Sequence, residues 1–267
     1  MHPAKNQVQL LLIDPQNDFC DQEGAALPVT GALADLKRVA ALVDRWGERL
    51  SAIHVTLDSH QPLDIAHPAW WRNAEGAMPP PYTLISVADV ENGVWRAADP
   101  AQRIASLSYV RALEANGRYQ LIVWPEHCLL GGWGHNVQPD LFDALKRWGR
   151  TYQRSVNYVI KGLNPATEHY SALRAEVPDP ADSATLPDRS WLEQLSRADT
   201  LLVAGEALSH CVAGTVRDLA DLLGRADSIV LLTDCTSPVP GFEAAGQAFI
   251  DELSARGMRF AESRDRI

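Results

Sequence analysis

Val203-Ala-Gly-Glu-Ala-Leu-Ser-His-Cys211-Val-Ala-Gly-Thr-Val216 is the stretch on which the reading of this chain turns. The apolar run Thr200–Ala204 just before and inside it has the length and composition of a short buried strand. Gly205 interrupts that run. Beyond Ser209 the apolar positions fall at Val212, Val216, Leu219, Ala220 and Leu223, which is helical spacing. The stretch therefore reads as strand, tight turn and helix, with Cys211 in the first helical turn. A helix start offers unpaired backbone N–H groups and a partial positive charge. Both favour thiolate over thiol, so a depressed pKa and a nucleophilic role are expected of Cys211. The plainer reading is a small buried hydrophobe.

The same alternation extends in both directions. Strands are expected at Gln9–Ile13, Ala52–Leu57, Gln120–Trp124, Asn157–Ile160, Ser228–Leu232 and near Met258–Ala261. Helices are expected at Leu33–Trp46, Ala101–Glu114, Leu141–Trp148, Trp191–Leu195 and through Phe249–Leu253. This predicts an α/β fold, a three-layer α/β/α arrangement around a mainly parallel, doubly wound sheet. One domain is expected over residues 1–267. Gln61–Asp99 shows no clear period and holds Trp70, Trp71, Trp95 and the run Pro79–Pro81, so it reads as a lid or insertion. Gly131-Gly-Trp-Gly134 lacks the Gly-Lys-Ser/Thr ending of a phosphate loop and is not read as one.

Right-handed crossovers put the carboxyl ends of parallel strands on one edge, where ligands bind in open sheets. Just past the expected strands stand Asp14, Asp58 with His60, His127, Lys161 and Cys211. Two constellations follow. In the first, Asp14 can take the proton of Cys211, and Lys161 can hold that carboxylate ionised and stabilise developing negative charge. An ordinary Asp14–Lys161 ion pair is the alternative. In the second, Asp58, His60 and His127 supply one carboxylate and two imidazoles, a set suited to Zn, Fe or Mn with open positions left.

The net charge of −10 over 267 residues argues against nucleic acid or an anionic membrane as the main partner. No apolar run is long enough to span a bilayer, and Met1–Asn6 has no signal pattern. The four cysteines, Cys20, Cys128, Cys211 and Cys235, are scattered without disulfide spacing, so a reducing cytoplasm is expected.

Five segments resemble the nicotinamidase branch of the isochorismatase-like cysteine hydrolases. Ile13-Asp-Pro-Gln-Asn-Asp-Phe-Cys20 looks like the opening signature, and Thr56-Leu-Asp-Ser-His60 like the first metal segment. Trp124-Pro-Glu-His-Cys128 looks like the segment that supplies the third metal ligand. Ile160-Lys-Gly162 with Tyr170-Ser171 looks like the catalytic lysine region, and Gly205–Val212 like the nucleophile turn. The resemblance implies Cys211 as nucleophile, Asp14 as general base and Lys161 as supporting cation. It implies Asp58, His60 and His127 as ligands of one divalent ion, zinc first, with iron or manganese as alternatives. A cis peptide at Glu206–Ala207 is implied, with the backbone N–H groups of Ala207 and Cys211 as the oxyanion hole. Phe19 and Trp124 would sandwich the substrate ring. The activity implied is hydrolysis of nicotinamide to nicotinate and ammonia in NAD salvage, by a homo-oligomer. The chain departs from the family at Leu208, Ser209 and His210, where threonine, an acidic residue and an aromatic are frequent, and at Glu206, where an aliphatic residue is usual. His67 and His135 match no ligand position. Another small amide, an isochorismate-type ether whose hydrolysis needs no cysteine, or a binding protein on the same fold remain as alternatives.

Overall fold

In the computed structural model, which describes residues 7–266, Leu10 to Ile13 have no exposed surface. They belong to β1 (Val8–Ile13), buried on both faces along its length, as a central parallel strand must be. In chain order there follow α1 (Ala32–Trp46), β2 (Leu50–Asp58), β3 (Trp71–Arg72), β4 (Thr83–Ile85), α2 (Val87–Glu91), β5 (Arg96–Ala97), α3 (Arg103–Asn116) and β6 (Leu121–Val123). The second half adds α4 (Pro139–Tyr152), β7 (Asn157–Lys161), α5 (Arg189–Ser196), β8 (Thr200–Gly205), α6 (Ala213–Leu223), β9 (Ile229–Leu232), α7 (Glu243–Ala255) and β10 (Arg259–Ala261).

Six strands form one sheet in the order β10-β9-β8-β1-β2-β7, and each neighbouring pair is parallel. The order reverses direction at β1, between β2 and β8, which places the crevice of the sheet at the ends of those strands. Side chains alternate across the sheet. Leu11, Ile13, Leu201 and Val203 pack with Trp191, Val216, Leu219 and Phe249 from α5, α6 and α7. Leu10, Leu12, Leu202 and Ala204 face Leu36, Val39, Leu141 and Leu145 from α1 and α4. The expected three-layer fold is the one observed. No helix among the described residues is long and apolar enough to cross a membrane.

Two expectations change. The strand expected at Gln120–Trp124 is not a member of the main sheet. As β6 it pairs antiparallel with β4, in register Thr83↔Val123 and Ile85↔Leu121. The aperiodic stretch Gln61–Asp99 is folded through its aromatic residues. Ile65, Trp70, Trp71, Ile85 and Ala97 bury themselves against Tyr109, Val110 and Leu113 of α3 and Leu121 and Val123 of β6. Its elements are two to five residues long, too short to impose a period on the sequence.

Candidate active site

The turn after β8 is built by a close approach that only glycine permits. Gly205 has φ +112°, and a Cβ there would lie 2.0 Å from the carbonyl oxygen of Ile13. The backbone of β8 can therefore lie against the end of β1, where the Glu206 N–H donates to Ile13 O over 2.7 Å. The peptide Glu206–Ala207 is cis. The chain then makes a π-helical turn, Leu208–Val212, directly before α6. Cys211 thus sits in a wider turn than the α-helical one expected, beside Asp14 at the end of β1.

Lys161 gathers the first constellation. Its Nζ lies 3.0 Å from Asp14 Oδ2, 2.8 Å from Asp58 Oδ1 and 3.7 Å from Cys211 Sγ, and donates to His169 O over 2.7 Å. Thr56 Oγ donates to the other oxygen of Asp14 over 2.5 Å. A carboxylate oxygen of Asp14, one of Asp58 and Cys211 Sγ all fall within 4.8 Å of one another. Burial opposes the charge on Lys161, but Asp14, Asp58 and the thiol together hold its ammonium well above the ordinary value. Burial raises the Asp14 carboxyl, with Lys161 pulling it down and Asp58 pushing it up. The depressed pKa expected for Cys211 is reversed. Burial pushes its thiol well up, Lys161 pulls down, and Asp14 and Asp58 push up again. A helix start is visible in sequence; two buried carboxylates beside the sulfur are not. The resting group is a thiol, and a thiol so held becomes a nucleophile only once a neighbouring base takes its proton.

The second constellation also assembles. Asp58 Oδ2 lies 3.1 Å from His60 Nε2 and 3.3 Å from His127 Nε2. His60 Nδ1 faces Asp64 Oδ2 at 2.9 Å, and His127 Nδ1 faces Pro125 O at 2.8 Å. Each ring thus has an acceptor behind it and its Nε2 turned inward, the arrangement of metal-ligating histidines. The donor set fits a divalent ion. Burial would raise Asp58, but His60 and Lys161 outweigh it and keep the carboxyl well below the usual range. His127 reaches this place by a different route from the one expected. It does not follow a strand of the main sheet; the segment after β6 crosses over His60, where His60 N donates to Cys128 O and Leu130 N to His60 O.

Several residues here were not picked out by sequence. His67 stands with His60 and His127 in a trio whose ligand atoms lie within 4.8 Å of one another. Its Nδ1 faces Gln61 O, its Nε2 is 3.3 Å from His127 Nδ1, and burial, with His127 and His60 beside it, depresses its pKa to about 2. His135 instead bonds Ser59 Oγ at 2.7 Å. Glu168 is buried beside the cluster, with one oxygen taking the His169 N–H and the other without a hydrogen-bond partner. Neither His67 nor Glu168 has a period or motif around it.

A pocket joins the two constellations. Phe19, Trp124, Asp58, His127, Ala207, Cys211, Glu168, Tyr170 and His210 line it, with Leu27 and Val239. Trp124 is fixed by its Nε1–H to Tyr170 Oη at 3.0 Å and by the edge-to-face ring of Tyr82 from the inserted stretch. Phe19 meets His127 edge-on, with ring centroids 5.5 Å apart.

No protein-family model matches the chain. It is 26% identical over 249 residues, 93% of this chain and 91% of the relative, to the nicotinamidase of Escherichia coli strain K12. Its fold is similar to that of a nicotinamidase/pyrazinamidase from Acinetobacter baumanii, with TM-score 0.66 and 20% identity over 98% of each chain. A pyrazinamidase of Pyrococcus horikoshii, solved in complex with zinc, gives TM-score 0.58 and 18% identity over 96% of this chain and 99% of that one. The resemblance to nicotinamidases thus extends over nearly the whole chain.

Proposed function

We propose that this chain, an amidohydrolase acting on a carboxamide, hydrolyses nicotinamide to nicotinate and ammonia. The observation that carries the reading is one pocket onto which Cys211, Asp58, His127 and two aromatic walls all open. Aromatic walls with a few convergent polar groups suit a small aromatic ring bearing a carboxamide. The Cys211 proton passes to Asp14 as sulfur adds to the amide carbon. The N–H groups of Ala207 and Cys211 hold the oxyanion. Asp14 gives the proton to the departing ammonia. It then takes one from the water that cleaves the thioester and returns it to the Cys211 sulfur as that leaves. Lys161 keeps Asp14 available as a carboxylate despite its burial. Asp58, His60 and His127 would hold one divalent ion, zinc with iron or manganese as alternatives. When bound, the ion supplies an electrophilic position for the pyridine nitrogen. NAD salvage in a reducing cytoplasm accords with four unpaired, buried cysteines. A homo-oligomer accords with Tyr158 and Ile160, exposed on the edge strand β7.

Benzamide has the shape of nicotinamide and the same amide but no ring nitrogen. On zinc-loaded protein, kcat/KM for benzamide is expected to be lower by roughly 100-fold or more, because a site built around one polar contact rejects the analogue lacking it. Comparable values would remove the ring-nitrogen anchor, and no turnover of either would move the substrate to another amide. His127→Ala is expected to lose the ion and weaken substrate binding. Stoichiometric metal in that variant, measured by elemental analysis, would place the site elsewhere.

A further inference from the structure

We propose that Asp64 is a positioning residue that sets the affinity of the metal site by holding His60 and His67 at once. The inference rests on the metal reading above and extends it to a residue that coordinates nothing itself. Asp64 has no exposed surface. Its Oδ2 lies 2.9 Å from His60 Nδ1, while His60 Nε2 is turned towards Asp58. Its Oδ1 accepts the Ala66 N–H over 2.9 Å, and its main-chain oxygen accepts the His67 N–H over 2.9 Å. One residue therefore sets the ring orientation of His60 and also the turn that delivers His67. A carboxylate behind a ligating imidazole accepts the N–H that faces it. An ion binding there would displace the proton on the inward nitrogen and take its lone pair, with the ring already held at the right angle.

An amide cannot do the same in this place. In Asp64→Asn the Ala66 N–H still needs an acceptor, so Oδ1 stays on it and the NH₂ group faces His60 Nδ1. Nδ1 must then accept, and the proton moves to Nε2, the nitrogen the ion needs. The isosteric variant is thus the harmful one. Asp64→Ser is too short to force either tautomer. If Asp64 merely supported the loop, asparagine would be the better tolerated of the two.

The experiment measures zinc affinity of the metal-free full chain by competition with a chelating dye, with His127→Ala alongside. Cobalt(II) absorption reports the ligand set, and melting of the metal-free proteins checks the fold. Asp64→Asn is expected to bind zinc about 10- to 100-fold more weakly than the parent, at least as weakly as Asp64→Ser, with altered cobalt bands and a parent-like melt. Parent affinity in Asp64→Asn with zinc lost in His127→Ala overturns the role of Asp64 and leaves the metal reading standing. Parent affinity in both overturns both. Asparagine binding clearly better than serine overturns the tautomer argument.

Discussion

Cys211→Ala is expected to lower kcat for amide hydrolysis by at least about 10⁴-fold, the scale of losing a nucleophile from a unit whose members act together. The fold should survive, because a small residue replaces a small one on the wall of an open pocket. The same residue should be the first alkylated by iodoacetamide in the native protein. Cys211 is 6% exposed and lines the pocket, whereas Cys20, Cys128 and Cys235 have no exposed surface. Labelling followed by peptide mapping, with activity measured in parallel, checks both statements. Retained turnover after complete alkylation of Cys211 would end the assignment.

Asp14→Asn should cost about 10²–10⁴-fold in kcat, the usual contribution of a positioned base. A second readout separates the base from a merely electrostatic neighbour. The charge on Asp14 helps to push the Cys211 thiol up. Removing it makes the thiol easier to ionise, so alkylation at a given pH should become faster while turnover falls. The fold should persist, since Lys161 keeps Asp58 and the carbonyl of His169 as partners. Near-native turnover would take Asp14 out of the mechanism. Slower alkylation alongside lost activity would mean that the substitution had displaced Lys161 or the turn.

How much of this was legible in sequence depends on the kind of signal. β1, β2, β7 and β8 are long enough for their apolar runs to stand out, and each ends at or just before a polar residue that faces the site. That pattern places Asp14, Asp58, Lys161 and Cys211 without further help. β6 was misplaced because a three-residue apolar run looks the same whether its partner is the main sheet or a separate antiparallel strand such as β4. His67 was missed because it lies in a turn stabilised by the side chain of Asp64, a contact without periodicity. The ionisation of Cys211 was misjudged because local helix position is written in sequence order, while the desolvation and the two nearby carboxylates come from strands far away in the chain.

The chain leaves the main sheet at Asp58 and does not come back to it until β7. In between it builds the third apolar cluster, and both ends of that excursion are drawn to one point: His60 and His67 at the way out, His127 on the way back. An ion held there would tie the neck of a long loop. Its binding free energy would then restrict the unfolded chain as a covalent bridge does, on the order of 4 kcal/mol for a loop of this length by the chain-entropy relation for cross-links. The ion would act as a clasp for the whole subdomain carrying Tyr82, so the shape of the pocket wall at Trp124 would depend on metal supply even in steps where the metal takes no chemical part.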